Sequence, residues 1–151
     1  MSDAAMPYII VPNGQGSVYE WQNDTITIRL TGEQTQGSFT LTEDAMKPTF
    51  KLGLHLHRKH AETFHILEGE VEFRVGSETR VVGPDTTIHV PPNTPHAVRV
   101  INGKEARMLM IYAPAGIEQF LGEMKTFTDA QFADKEFMET FNEKYDNIQL
   151  E

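Results

Sequence analysis

Residue types that bind transition metals stand close together in one short stretch of the chain. His55 and His57 are separated by one residue, and Glu62 follows after a connection of four residues. In a β-strand, residues i and i+2 point to the same face, so the two histidines would project side by side with Cα atoms about 6.6 Å apart. Glu62 opens the next β-type run, on the face that it shares with Phe64 and Ile66. The spacing therefore brings a carboxylate beside two imidazoles.

A fourth candidate ligand, His96, lies in a second segment of the chain. It follows the turn 91–95, which contains three prolines. Because proline fixes the φ angle, this turn helps to fix where the strand of His96 begins. His89 precedes the turn by two residues and would lie on the strand leading into it, where it could orient a ligand through a hydrogen bond.

The chemistry of these four residues narrows the kind of metal. The chain contains no cysteine, so any metal must be bound by nitrogen and oxygen. Three imidazoles and one carboxylate leave two open positions on a six-coordinate ion or none on a four-coordinate ion. Such ligation suits Fe, Mn, Ni, Co, Cu or Zn. We expect one divalent transition metal per chain, of an identity that the sequence does not give.

Two further histidines are expected to lie away from the ion. His60 falls in the connection between the ligand-bearing strands, where a solvated loop residue is the simpler interpretation. His65 alternates with Glu62 and should face the other side of its strand, either packed or at a subunit contact.

The elements that must position these residues are short strands. Period-2 alternation and turn signals predict an all-β, antiparallel sandwich or barrel with its core at about 25–114. Asn102-Gly103 stands between two apolar runs and is a type I′ hairpin signal. The six clearest runs are 25–30, 38–42, 64–67, 71–75, 97–101 and 106–112.

The pattern changes to a helical one after Pro114. Thr128 and Gln131 form a capping-box pattern, and four aromatic residues then recur at near-helical spacing: Phe132, Phe137, Phe141 and Tyr145. We expect a short C-terminal helical tail at about 117–146, and one domain over residues 1–151. The aromatic stripe should pack on the barrel exterior or on a partner subunit, with a lid over the active site as the alternative.

Two motifs resemble those of the cupin superfamily. His55-x-His57, four residues, Glu62, six residues and Gly69 resemble the first cupin motif in full. Pro91-x-Asn93-x-x-His96 resembles the second. The resemblance implies a jelly-roll barrel, a double-stranded β-helix, with the metal near its mouth and often a homodimer.

The second motif departs from the family pattern at three positions. Asp85 and Asn93 stand where that motif usually has glycine, and Val100 stands where it usually has asparagine. The departures change the turn chemistry but leave all four ligand positions filled.

Segments outside these motifs resemble the quercetinase-like monocupins, the segment 109–116 among them. That resemblance implies a metal-dependent dioxygenase for a flavonol-like, phenolic or enolic small molecule, with Glu62 as ligand and proton acceptor in turn. Pocket walls would come from Phe64, Met108, Met110 and Tyr112, although each could equally be ordinary core. Two alternatives remain open: a non-catalytic metal- or small-molecule-binding module, and a metal-dependent isomerase or lyase of a small acid or sugar. Arg99 or Arg107 would clamp the carboxylate of such an acid if either faced inward.

Composition limits the partners. The formal net charge of −9 would repel nucleic acid and acidic membranes. The apolar run Tyr8–Val11 is too short for a signal-peptide core, and the absence of cysteine fits a cytoplasmic protein. We expect a small-molecule substrate, no nucleic-acid or membrane partner, and a homodimer that buries Tyr8–Val11 and the outer face around His65.

Overall fold

A computed structural model describes residues 8–151 of the chain. Within that range, strands dominate and the helices follow the last long strand, which confirms the predicted all-β class with a short helical extension. The strands are β1 (Val18–Glu20), β2 (Asp24–Leu30), β3 (Thr40–Met46), β4 (Lys51–Leu56), β5 (Ala61–Glu68), β6 (Val71–Val75), β7 (Glu78–Val82), β8 (Thr87–Val90), β9 (His96–Val100), β10 (Ala106–Ala113) and β11 (Ile148–Gln149).

The strands form two antiparallel sheets. One sheet has the order β1-β2-β3-β10-β5-β8, and the other has the order β11-β4-β9-β6-β7. Strands that follow one another in the chain often belong to different sheets, as in a jelly roll. The two sheets enclose one core between their inward faces, and the metal-ligand candidates come from both.

Alternation along β10 shows how the sequence builds this core. Ala106, Met108, Met110 and Tyr112 are buried, whereas the residues between them are half-buried or exposed. Their partners on β5 include Ile66 beside Met108 and Glu62 beside Tyr112. Directly paired residues share a face, so Glu62 points inward at the end of an otherwise apolar row.

Asn102 and Gly103 form the predicted tight turn but not the predicted hairpin. Both residues have φ near +60°, as a type I′ turn requires (63° and 64°). However, β9 pairs with β4 and β6, whereas β10 pairs with β3 and β5. The prediction of the turn was therefore right. The prediction that β9 and β10 pair as a hairpin was wrong, because the turn carries the chain from one sheet to the other.

The predicted C-terminal helix is divided. The helices are α1 (Ile117–Met124), α2 (Asp129–Ala133) and α3 (Lys135–Lys144). Thr128 caps α2 with the predicted box, in which its side chain accepts from Gln131 N and the Gln131 side chain accepts from Thr128 N. Asp134 interrupts the helix, because its extended backbone ends α2 and its side chain caps α3 by accepting from Phe137 N.

Helix α1 packs against the inward face of β2 and not on the barrel exterior. Leu121 contacts Ile26 and Ile28, which pair with the inward residues Asp44 and Thr42 of β3. The aromatic stripe then packs on α1: Phe141 stacks on Phe120 with ring centroids 4.8 Å apart. The expectation that the stripe covers the outer barrel surface was therefore wrong.

Residues 8–11 form no strand. Tyr8 is 87% exposed and Ile10 is 78% exposed. Among residues 8–151, no helix is long and apolar enough to cross a membrane.

Candidate metal centre

The four predicted ligands converge in the barrel. His55 lies on β4 directly opposite His96 on β9, His57 follows the end of β4, and Glu62 lies on β5 of the other sheet. One ligand atom from each lies within 4.8 Å of the others. All four residues are buried, with exposed fractions of 1–6%. The group could hold one metal ion.

Hydrogen bonds fix which nitrogen of each histidine is available. The Nδ1 atoms of His55, His57 and His96 contact the backbone carbonyls of Gly53 (2.7 Å), Asp146 (2.9 Å) and Thr94 (2.9 Å), respectively. A carbonyl oxygen only accepts, so each Nδ1 carries the proton and donates it. In the neutral rings this leaves the Nε2 lone pairs for a metal, the arrangement that metal-binding histidines usually have.

The electrostatics of the group favour an ionised carboxylate among histidines. Burial opposes ionisation of Glu62, but the adjacent imidazoles of His57, His60 and His96 outweigh it and hold the pKa of Glu62 well below its usual range. Burial lowers the pKa of His55 to about 4, so this ring is neutral at pH 7. Burial also opposes protonation of His57, but Glu62 more than compensates and raises the pKa of His57.

A metal ion fits this donor set. His57 Nε2 lies 2.8 Å from Glu62 Oε1, yet it is buried and not aligned for a hydrogen bond with any described residue. Buried polar atoms are rarely left unsatisfied, and an ion between these two ligands would satisfy both. The nitrogen-rich set agrees with the transition metals expected from the sequence.

The loop between the ligand strands contributes a histidine that the sequence interpretation set aside. The His60 side chain is only 15% exposed, and its Nε2 lies 3.5 Å from Glu62 Oε1. The ring stacks on His57 and has its centroid 6.1 Å from that of the Tyr112 ring. The expectation of a solvated loop residue was therefore wrong for His60.

A cavity of about 250 Å³ adjoins the ligand group. Two of its lining residues, His60 and Tyr112, lie beside the ligands His57 and Glu62. Its other walls come from the loop before β5, from the β10–α1 connection, from α1 and from the end of α3. The lining side chains are both apolar and polar. They are Lys59, His60, Tyr112, Pro114, Ala115, Gly116, Ile117, Gln119, Phe120, Lys144, Tyr145 and Asp146. The C-terminal helices thus form part of the cavity wall.

The expected pocket residues divide into wall and core. Tyr112 lines the cavity, and burial raises its pKa well above the usual value, so its hydroxyl keeps its proton. Phe64, Met108 and Met110 do not line this cavity and belong to the packed core of the barrel. His89 is exposed on the outer face of β8, where its Nδ1 lies 2.9 Å from Thr63 Oγ1, so its predicted role in orienting a ligand was wrong.

The turns of the second motif retain the backbone shape that glycine would adopt. Asp85 and Asn93 have φ angles of 62° and 63°. Aspartate and asparagine enter this left-handed region more readily than other residues with a side chain. Asn93 N donates to the carbonyl of His57 at 2.6 Å, so this turn is fastened to a ligand residue. The departures from glycine therefore leave the geometry of the site intact.

Comparisons with known proteins agree with this geometry. A cupin-domain family model matches residues 43–112, a range that contains all four ligands. Quercetin 2,3-dioxygenase of Bacillus subtilis (strain 168) is 26% identical over 120 residues, which are 80% of this chain and 35% of that protein. Polyketide synthase CurC of Streptomyces cyaneus is 27% identical over 81 residues, which are 54% of this chain and 53% of that protein. The chain thus spans about half or less of the length of these relatives.

The fold is shared with solved structures. A predicted oxalate decarboxylase from Thermotoga maritima superposes with a TM-score of 0.65 at 15% identity, covering 70% of this chain and 99% of that chain. At this identity the likeness establishes the fold alone. The two-sheet barrel and the group of three histidines and one glutamate agree with the match of residues 43–112 to the cupin-domain family model, so this part of the chain is similar to the cupin superfamily.

Proposed function

We propose that this protein is a metal-dependent dioxygenase acting on a flavonol-like, phenolic or enolic small molecule. The observation that carries the proposal is the buried group of three histidines and Glu62 beside a partly apolar cavity of about 250 Å³. His60 and Tyr112 both line the cavity and both lie beside a ligand, because His60 stacks on His57 and Tyr112 is the strand partner of Glu62.

The metal and the protein would have separate tasks. A divalent transition metal bound by the four ligands would supply Lewis acidity for an ionised substrate oxygen and a redox-active centre for chemistry with dioxygen. Phe120, Ile117 and Pro114 would hold a flat ring and exclude water from the cavity. Tyr112 keeps its proton and donates it to Met110 Sδ at 3.5 Å, so it would hydrogen-bond a substrate oxygen by redirecting this bond.

Glu62 is the group in this set that would accept the proton of a substrate hydroxyl. It is ionised, and its contacts with His57, His60 and His96 hold its pKa low. A carboxylate with a low pKa is a weak base, so Glu62 would accept a proton only when one of these contacts is exchanged for the substrate. Glu62 would then serve as ligand and as proton acceptor in turn.

The cavity volume limits the substrate. Pockets for small organic ligands usually have volumes of about 300–1,000 Å³. A cavity of about 250 Å³ therefore favours a phenolic or enolic molecule of one or two rings.

The relation to quercetin 2,3-dioxygenase supports the dioxygenase class, and the relation to a polyketide synthase supports a flat polyoxygenated substrate. An isomerase or lyase of a small acid has less support. Arg99 pairs with Glu72 on the outer face, and Arg107 pairs there with Glu43 and Glu68. Neither arginine faces the cavity.

Oxygen consumption tests the proposal. Protein loaded separately with Fe(II), Mn(II), Co(II) and Ni(II) is mixed with a panel of phenols, enols, β-diketones and flavonols, with and without oxygen. We expect consumption of one O₂ per molecule of substrate, and no product under anaerobic conditions. Product formed without oxygen would instead support the isomerase or lyase class. Binding without turnover on any panel member would support a non-catalytic binding module.

A further inference from the structure

The three histidine ligands are held in two different ways. His55 and His96 each donate Nδ1–H to the carbonyl of the residue two positions earlier, within their own segments. His57 instead donates to the carbonyl of Asp146, which lies 89 residues away in the chain. The orientation of this one ligand therefore depends on the C-terminal segment.

The Asp146 carbonyl is itself held by several bonds. Asp146 has a φ angle of 60°, and its N–H donates to the Glu143 carbonyl at 3.0 Å. Its Oδ2 accepts from Lys59 N at 2.7 Å, in the loop between His57 and Glu62.

Strand β11 continues this attachment. It adds to the edge of β4, with Gln149 opposite His55, and Leu150 N donates to the Leu54 carbonyl at 2.9 Å. The segment 145–151 is thus fastened along the strand that leads into both ligand histidines.

We propose that Asp146 is a positioning residue for the metal group, and that docking of the segment 145–151 completes the site. The Asp146 carbonyl keeps the proton of a neutral His57 on Nδ1 and so keeps the Nε2 lone pair free. Without this acceptor, the ring would turn or would place its proton on Nε2, where Glu62 Oε1 lies 2.8 Å away. A ligand nitrogen that carries a proton cannot bind a metal, so metal affinity would fall.

Substitutions in the full-length chain separate the carbonyl from the side chain. Asp146→Pro sets φ to the opposite sign and removes the N–H that bonds Glu143, so it displaces the carbonyl. Asp146→Asn tolerates a positive φ and keeps both the carbonyl and a side-chain oxygen for Lys59 N, and it is the matched control. Asp146→Ala is an intermediate case, because it strains the backbone less than proline but loses the bond to Lys59.

The first readout is the tautomer of each histidine in metal-free protein, measured by ¹⁵N NMR at alkaline pH, where the rings are neutral. We expect all three ligand histidines of the wild type and of D146N to carry the proton on Nδ1. In D146P only His57 should lose that form, while His55 and His96 serve as internal controls for an intact fold. If D146P fails to fold, D146A should show a smaller change of the same kind at His57.

The second readout is affinity for Co(II) alone. Loss of an outer hydrogen bond to a metal-binding histidine typically weakens binding by about 10–100-fold, and we expect that loss for D146P and none for D146N. An unchanged His57 tautomer in both D146P and D146A would overturn the inference, as would a simultaneous change at all three histidines. The tautomer readout uses neither metal nor substrate, so it stands apart from the proposed dioxygenase activity.

Discussion

His60 stacks on His57, with ring centroids 4.1 Å apart and ring planes inclined by 27°. The stack places His60 Nε2 3.5 Å from Glu62 Oε1 and leaves the ring on the cavity wall. His60 therefore connects the cavity wall with two of the ligands. It touches two ligands without belonging to the predicted ligand set.

Replacing His60 should separate substrate binding from metal binding. We expect His60→Ala to keep about one metal per chain, since the four ligands remain, and to raise KM about fivefold through the loss of one hydrogen bond of about 1 kcal/mol. His65→Ala is the matched control, because His65 lies on the outer face and bonds Thr87 at 2.7 Å. Metal analysis and steady-state kinetics on both variants test this. A KM for His60→Ala equal to that of the wild type would show that His60 does not contribute to substrate binding.

The ligand set could be predicted because its determinants are local. Strand alternation predicted that His55 and His57 lie side by side. The proline turn predicted that His96 begins a strand, and His96 does begin β9, directly opposite His55. The strand runs and the I′ turn at Asn102-Gly103 were predictable for the same reason. The pairing of β9 and β10 with other strands was not, because it depends on which sheet each joins.

The surroundings of the ligands depend on contacts that are distant in sequence. Nothing near His60 indicates that the loop folds back onto Glu62, because its neighbour Lys59 is tied to Asp146, 87 residues away. The aromatic stripe indicated a helix but not its partner, which proved to be Phe120 of α1. His89 was misassigned although the alternation of Ile88 and Val90 already placed it on the outer face.

Removing one ligand should release the metal and leave the barrel folded. We expect wild-type protein to carry about one divalent metal per chain and His57→Ala to lose most of it. The core around Phe64, Ile66 and Val98 is packed without any contribution from an ion, so the circular dichroism spectrum should be retained. Elemental analysis of both proteins measures the difference. Wild-type protein that stays metal-free after exposure to Mn, Fe, Co, Ni and Zn would contradict the metal centre.

A buried carboxyl outside the ligand group should make stability depend on pH. Burial raises the pKa of Asp24 to about 6 from an ordinary value of 3.8. The folded chain therefore holds this proton more tightly than the unfolded chain, and stability falls as pH rises from about 4 to 6. Since a shift of one pKa unit corresponds to 1.36 kcal/mol, the free energy of unfolding should fall by on the order of 2–3 kcal/mol.

Asp24→Asn should remove that loss. We expect the variant to match the wild type near pH 4 and to be more stable above pH 6, as measured by urea unfolding across the pH range. Asp85→Asn, which removes a carboxylate that is 96% exposed, is the matched control for the change of charge. Parallel profiles for Asp24→Asn and the wild type would show that Asp24 does not hold its proton in this range.

The exposed apolar N-terminal residues motivate a prediction about assembly. Tyr8, Ile9 and Ile10 are 44–87% exposed, and Ile111 on the outer face of β10 is 37% exposed. Such groups are commonly buried between subunits, so we expect a homodimer at micromolar concentration. Ile10→Glu should shift the protein toward the monomer in sedimentation velocity. A wild-type species of 17.1 kDa alone would count against the dimer.

Glu62→Gln addresses the chemistry itself. An amide oxygen can still ligate, so much of the metal should remain, but an amide cannot accept a proton as a carboxylate does. If Glu62 is the proton acceptor, kcat should fall by about 10²–10⁴, the usual contribution of a positioned base. The loss should be smaller for a substrate that is already ionised at the pH of the assay, since no proton then needs to be accepted.

Comparing a weakly acidic phenol with a strongly acidic enol in wild type and E62Q tests this difference, with metal content measured in each sample. Equal rates for wild type and E62Q would leave Glu62 as a ligand only. An equal loss for both substrates would attribute the effect to altered metal geometry and not to proton transfer.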